Sequence, residues 1–246
     1  MKSFQIKIPW MQQILTKGIP VPSSTIITGP AGAGKPLIGT LLADAWLKQG
    51  GSLIILMINF KRVYTEKLFL NLKTDLKQFA DQTVYVELDL EIAGVEKSTA
   101  NVLLANLLKP HNLMSAIRQA KELLPDSDLG TLVYGSALNM LLFSPTYAAQ
   151  IHQTIVEILQ SKDNYLFTIA DNTFEELVSV WDGLADNLFF VHGTGIMQLG
   201  LKIIRMNNVS FNKNEVRIPI SEKELRTIRA EAEMSRKHLI PMIRKI

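Results

Sequence analysis

The residues Gly29-Pro30-Ala31-Gly32-Ala33-Gly34-Lys35 satisfy the spacing G-x-x-x-x-G-K. Glycines at this spacing let successive backbone N–H groups turn inward on an anion, and the terminal lysine reaches the outer phosphate oxygens. The chemistry is phosphate binding, with contacts from Gly29, Gly32, Ala33, Gly34, Lys35, Pro36 and Leu37. The pattern then breaks. A Ser or Thr hydroxyl would ligate the Mg²⁺ that accompanies ATP, but Pro36 stands there, followed by Leu37. Proline offers neither hydroxyl nor backbone N–H. The glycines and lysine of the cradle are kept, while one phosphate-holding N–H and one metal anchor are lost.

Such a cradle needs a strand entering it and a helix leaving it. Ser24 to Thr28 reads as the strand and Pro36 to Gln49 as the helix, whose first turn tolerates proline because that N–H has no ladder partner. Upstream, Pro9 to Pro20 reads as a short helix stopped at Gly18. Ser52 to Ile58 is an almost unbroken apolar run, suited to a strand buried on both faces. A helix is expected from about Val63 to Phe79, with Leu68, Leu72, Leu76 and Phe79 at helical spacing. Strands follow at Thr83 to Leu88, Thr131 to Tyr134 and Tyr165 to Ala170, with helices at Asn112 to Leu124 and about Thr146 to Gln160. Later strands at Leu188 to Val191, Gly200 to Arg205 and Glu215 to Ile220 are expected to pair antiparallel. Ser221 and Glu224 form a capping box for a final basic amphipathic helix, expected to stop near Pro241. The connection from Asp89 to about Lys109 shows no clear element, and loops of that length carry a job or are mobile.

Alternation of strand and helix implies an α/β fold, a mostly parallel central sheet flanked by helices, with antiparallel C-terminal strands. One domain is expected over residues 1–220. Residues 221–246 form a basic amphipathic helix packed on it or extending from it. At 246 residues the chain can bury roughly 70–75% of the surface its unfolded form exposes. The absence of cysteine excludes a disulfide framework, a thiolate metal site and a cysteine nucleophile, and fits a reducing interior. Polar residues interrupt the first fifteen positions, unlike a signal peptide, and no stretch reaches the ~18–20 apolar residues of a membrane span. A cytoplasmic protein is expected, with no membrane partner. The net charge is +3, but the segment 122–201 carries −9 and the rest +12. Four histidines, His111, His152, His192 and His238, lack any partner at metal-ligand spacing.

The run PWMQQILTKGIP followed by SSTIITGPAGAGK resembles the opening of KaiC-like ATPases, a branch of the RecA superfamily. The likeness continues in order through Asn59-Phe60-Lys61-Arg62, Leu132-Val133-Tyr134-Gly135-Ser136 and Ala185-Asp186-Asn187-Leu188-Phe189-Phe190. It implies a RecA-like P-loop NTPase fold in which ATP phosphates meet the loop, a hydroxyl and a Walker B aspartate organise Mg²⁺, and a glutamate polarises the attacking water. By that resemblance, Gly29, Gly32, Gly34 and Lys35 survive. The hydroxyl position is Pro36, the Walker B position is Gly135, and the glutamate pair is replaced by Lys61 and Arg62. The stretch that faces the adjacent nucleotide in the family corresponds to residues 205–211, where its arginine and histidine appear as Asn207 and Phe211. Asp171 falls in a sensor position.

Water activation by a carboxylate contributes about 10²- to 10⁴-fold, so a chain lacking these groups is expected to turn over near background, with no catalytic residue and no metal ligand assigned. Lys61 and Arg62 would supply phosphate counter-charge without metal, or else are solvated loop residues. The preferred reading is a degenerate KaiC-like protein that binds ATP or ADP, with Mg²⁺ doubtful, and acts as a regulatory or assembly subunit with a protein partner or as a homo-oligomer. An active ATPase with non-standard groups and a structural subunit with an empty loop are the alternatives. A DNA-binding recombinase paralogue fits less well, because segments 143–150 and 192–200 contain no Lys or Arg.

Overall fold

The computed structural model describes residues 2–195 and 198–246; positions 196 and 197 of the 192–200 segment lie outside them. In chain order the elements are β1 (Lys2–Phe4), α1 (Pro9–Gln12), β2 (Ile19–Val21), β3 (Ser24–Thr28), α2 (Lys35–Leu47), β4 (Ser52–Met57), α3 (Arg62–Asn71), β5 (Thr83–Leu88), β6 (Val95–Thr99), β7 (Val102–Ala105), α4 (Pro110–Glu122) and β8 (Thr131–Gly135). After these come α5 (Ala148–Gln160), β9 (Asn164–Thr168), α6 (Glu175–Leu184), β10 (Asn187–Gly195), β11 (Gln198–Met206), β12 (Val216–Arg217) and α7 (Glu222–Ile243). The main sheet has the order β12-β11-β10-β3-β9-β8-β4-β5-β7-β6. Every pairing from β10 through β7 is parallel. Antiparallel strands close both edges, β11 and β12 on one side and β6 on the other.

Side chains alternate across this sheet because strand period is two. In β4, Leu53, Ile55 and Met57 join one apolar layer with α2, while Ile54 and Leu56 join the other with α4, α5 and α6. Helices on both faces explain why the β4 run is apolar throughout. Strand β9 lies between the loop-bearing strand β3 and β8. Successive neighbours β3, β9, β8 and β4 therefore send their carboxyl-end loops to one edge of the sheet, where an open α/β sheet forms its crevice.

Several expectations are corrected by this architecture. The helix expected over Val63 to Phe79 stops at Asn71. Lys73 takes a left-handed φ of 61°, and Thr74 N bonds Phe69 O at 3.0 Å while Lys73 N bonds Leu70 O at 2.9 Å. Those two bonds are a Schellman stop. Leu76 and Phe79 belong to a separate 3₁₀ segment, so one period spanned two elements. The unreadable stretch after Asp89 holds the β6–β7 hairpin, and β6 extends the sheet as an edge. The expected 9–20 helix is one turn, Pro9–Gln12, and β1 pairs with β2 in a separate small sheet. The strand expected at Glu215 to Ile220 shrinks to Val216–Arg217.

Helix α6 has no counterpart in the sequence reading. Its N-cap, Phe174, sits at φ 58° with no side-chain cap bond, so no start signal announces it. Helix α7 opens on the capping box of Ser221 and Glu224 but runs past Pro241 to Ile243. Proline removes one ladder bond in the last turn, Arg244 N still bonds Ile240 O at 3.0 Å, and Ile243 is buried in the core. No helix among the described residues is long and apolar enough to cross a membrane.

The Schellman position of Lys73 generates a test. A non-glycine residue in the left-handed region costs about 1 kcal/mol, and glycine does not bear that cost. Lys73→Gly is expected to raise unfolding stability by up to about 1 kcal/mol in urea titration, and an unchanged or lower stability contradicts this account of the α3 terminus.

Candidate functional site

The loop between β3 and α2 has the shape its glycines require. Gly29 lies at φ 137°, and a Cβ there would collide with the Val191 carbonyl oxygen of β10. Gly34 is the left-handed N-cap of α2, and a Cβ there would lie 2.8 Å from Leu199 Cδ1. Gly29 admits no side chain against the β10 backbone, and at Gly34 the left-handed φ of 71° is what favours glycine, so the loop packs closely on β10 and β11. Ala33 N bonds Pro30 O at 3.2 Å and Leu37 N bonds Gly34 O at 3.0 Å. Pro36 is accommodated in the first turn of α2, and its carbonyl accepts a 3.2 Å bond from the Tyr134 hydroxyl of β8.

Lys35 is the buried charge of the site. Its Nζ donates to Gly29 O at 2.7 Å and to Pro30 O at 2.6 Å, curling the loop around the ammonium. Burial lowers its pKa from 10.5 to about 8, opposed by the Asp171 carboxylate and assisted by Arg236. Asp171 itself anchors the loop from the far side, with its N donating to Gly29 O at 3.2 Å.

A cavity of about 760 Å³ opens from this loop. Residues 31–36 form one wall; Asn59 after β4, Ala137 and Asn139 after β8, and Thr168 to Ala170 at the end of β9 form its floor. The opposite wall is α7, through Arg229, Ala232, Glu233, Arg236, Lys237 and Ile240. This helix crosses the carboxyl edge of the sheet. Leu225 belongs to the α2-side apolar layer, while Ile240 packs on and Ile243 lies in the layer of α4 to α6. Arg229 Nε donates to Gly32 O at 2.8 Å and ties α7 to the loop.

The structure brings Gly32, Ala33, Gly34, Lys35 and Pro36 into the cavity wall, with Gly29 and Leu37 flanking them. Lys61 and Arg62 do not line it. The chain turns at the end of β4 so that Asn59 faces the cavity, while Arg62 starts α3, 3.6 Å from Glu66 and 5.7 Å from the centre of the Tyr85 ring. The cations of the cavity come instead from α7. The sequence marks that helix as basic and amphipathic, packed on the domain or extending from it, but carries no sign of what its face at positions 229, 232, 236 and 240 meets. Lining residues Asn59, Thr168 and Asn139 carried no motif at all.

Protein ligands for Mg²⁺ do not fit here. At Gly135, the end of β8, a Cβ would meet Phe167 Cδ1 at 3.1 Å and Cε1 at 3.3 Å, so a side chain there requires the ring to give by a few tenths of an ångström. Among the described lining residues the only carboxylate is Glu233, which lies 2.7 Å from Lys237 Nζ. Thr168 Oγ1 accepts from Ala137 N at 3.0 Å and lies 3.3 Å from Ser136 Oγ. A hard divalent cation takes several oxygens, normally with carboxylate among them, and these two hydroxyls are already engaged.

No protein-family model matches the chain, and no curated protein matches it. Solved structures do. The chain is similar to the flagellar accessory protein FlaH of Methanocaldococcus jannaschii, with 18% identity over 87% of this chain and 94% of that one, at a TM-score of 0.64. It is also similar to the KaiC-like protein PH0186 of Pyrococcus horikoshii OT3, with 10% identity over 90% and 96% of the two chains, at a TM-score of 0.69. At such identities the likeness is one of fold. The chain has the RecA-type P-loop fold of KaiC-like proteins.

Proposed function

We propose that this protein binds a nucleotide or other phosphate ligand in the P-loop with little or no hydrolysis, and that occupancy serves a regulatory or assembly role. The observation that carries this reading is the contrast within one cavity: an intact phosphate loop around Lys35, facing a wall where Glu233 is the only carboxylate among the described lining residues. Phosphoryl transfer to water needs a base to orient the nucleophile and groups that stabilise the departing charge. The positions that would hold the carboxylates are Lys61, Arg62 and a close-packed Gly135. The neighbour described as a flagellar accessory protein fits a role as a subunit of a larger assembly.

Three outcomes test this reading. In calorimetric titration ATP or ADP is expected to bind, and Lys35→Ala to abolish binding, with phosphate release at background in both proteins; robust turnover by the wild type would contradict the proposal. Gly135→Asp is expected to leave hydrolysis at background and to cost about 1–3 kcal/mol of stability by forcing a side chain against Phe167; a gain of Mg²⁺-dependent turnover would sink the argument about that position. The pH dependence has a defined sign. Bound phosphate raises the depressed Lys35 pKa, so above pH 8 binding must take up a proton. Phosphate's own second ionisation, near about 6, is complete by then. Affinity is expected to hold between pH 7 and 8 and to fall above 8, approaching tenfold per unit, with proton uptake read from titrations in buffers of different ionisation enthalpy. A flat profile to pH 10 would remove Lys35 from the site.

A further inference from the structure

The cavity's second wall is built by α7, and its charge has no counterpart in the motif that forms the first. Positions 229, 232, 233, 236, 237 and 240 recur at spacings of three and four, so they share one face of the helix, and that face looks onto the P-loop. At a rise of 1.5 Å per residue, Arg236 stands about 10 Å along the helix from Arg229, which is bonded to Gly32 O. The helix is therefore held at one point beside the loop and carries Arg236 and Lys237 onward over the floor of the cavity. Lys35 senses the Arg236 charge, which helps to lower its pKa. Two sets of cations thus face one space of about 760 Å³, within the range of small-molecule sites. Like charges held around a cavity are mutually repulsive, and an anion placed between them relieves that repulsion.

We propose that α7 is the outer half of the phosphate site, and that the ligand is a triphosphate bound without divalent metal, its inner phosphates in the P-loop and its terminal phosphate against Arg236 and Lys237. This rests on the phosphate-binding reading above. A longer phosphate chain seated in the loop extends further along the cavity toward Arg236 and Lys237 than a monophosphate or diphosphate does, so chain length is what the second wall selects. Arginine and lysine bind phosphate oxygens by charge-assisted hydrogen bonds, which a metal would otherwise partly replace. Glu233 makes an exposed 2.7 Å ion pair with Lys237 Nζ, a weak competitor that a phosphate would displace. Met140, Phe143 and Ile240 line the same cavity and offer apolar surface to a nucleoside, whereas inorganic tripolyphosphate would use the charged walls alone.

The test is calorimetric titration of the full-length protein in EDTA with ATP, ADP, AMP and inorganic tripolyphosphate, repeated on the Arg236→Ala/Lys237→Ala double variant, on Glu233→Gln and on Lys35→Ala, with circular dichroism confirming each fold. The wild type is expected to bind ATP about tenfold or more tightly than ADP. The double variant should erase that difference by weakening ATP far more than ADP, and Glu233→Gln should tighten ATP by at most about fivefold, the range of an exposed ion pair. Tripolyphosphate binding as tightly as ATP identifies the phosphate chain alone as the ligand, and ATP binding more tightly identifies a nucleotide; both support the clamp. If the double variant binds ATP as well as the wild type while Lys35→Ala does not bind, α7 is not part of the site and the phosphate-binding reading stands. Binding that appears only with Mg²⁺ overturns the metal-free clamp. Absence of binding by the wild type to every probe, with or without Mg²⁺, overturns both.

Discussion

The architecture of the site follows from one buried ammonium. Lys35 begins α2 inside the protein, where an uncompensated charge is costly, and its two short bonds to the Gly29 and Pro30 carbonyls are the compensation. To supply both carbonyls the loop must curl back on itself, which is possible only with Gly29 and Gly34 in conformations where any Cβ would strike β10 or β11. Those strands must in turn lie beside β3, and the parallel pairing of β10 with β3 puts them there. The fold of the sheet edge and the chemistry of the loop are thus one constraint, and a phosphate that took over from the carbonyls would satisfy it as well.

What distinguishes this chain is the balance of charge around that constraint. Phe167 packs over Gly135 at the end of β8, and Pro36 occupies the first turn of α2, so neither position presents an oxygen side chain to the cavity. Helix α7 then lays a cationic face across the opening, anchored at one end by Leu225 and at the other by Ile243, each buried in a different apolar layer. A helix tied into both layers spans the carboxyl edge of the sheet from one side to the other.

The phosphate loop, the two-sided burial of β4 and the capping box of α7 were legible in the sequence because each is a local pattern whose physics is complete within a few residues. The break at Lys73 was not, since the apolar spacing of Leu68, Leu72, Leu76 and Phe79 continues through it and a lysine is an unusual occupant of a left-handed stop. Helix α6 lacks a capping side chain to mark its start, and the β6 strand is polar and mostly exposed, so it raises no alternating apolar signal. The cations of the cavity escaped for a different reason. Arg236 and Lys237 lie some two hundred residues from Lys35, and only tertiary packing brings α7 across the carboxyl edge. Lys61 and Arg62 stand just after β4, but neither lines the cavity, and Arg62 turns toward Glu66 and Tyr85 instead.

The most direct measurement is a crystal structure of the protein with a non-hydrolysable triphosphate in the presence of EDTA. The account predicts that Lys35 Nζ leaves the Gly29 and Pro30 carbonyls for phosphate oxygens, with the phosphate chain lying in the cavity beneath a seated α7. A triphosphate bound elsewhere, or Lys35 still bonded to both carbonyls with the ligand present, would contradict it.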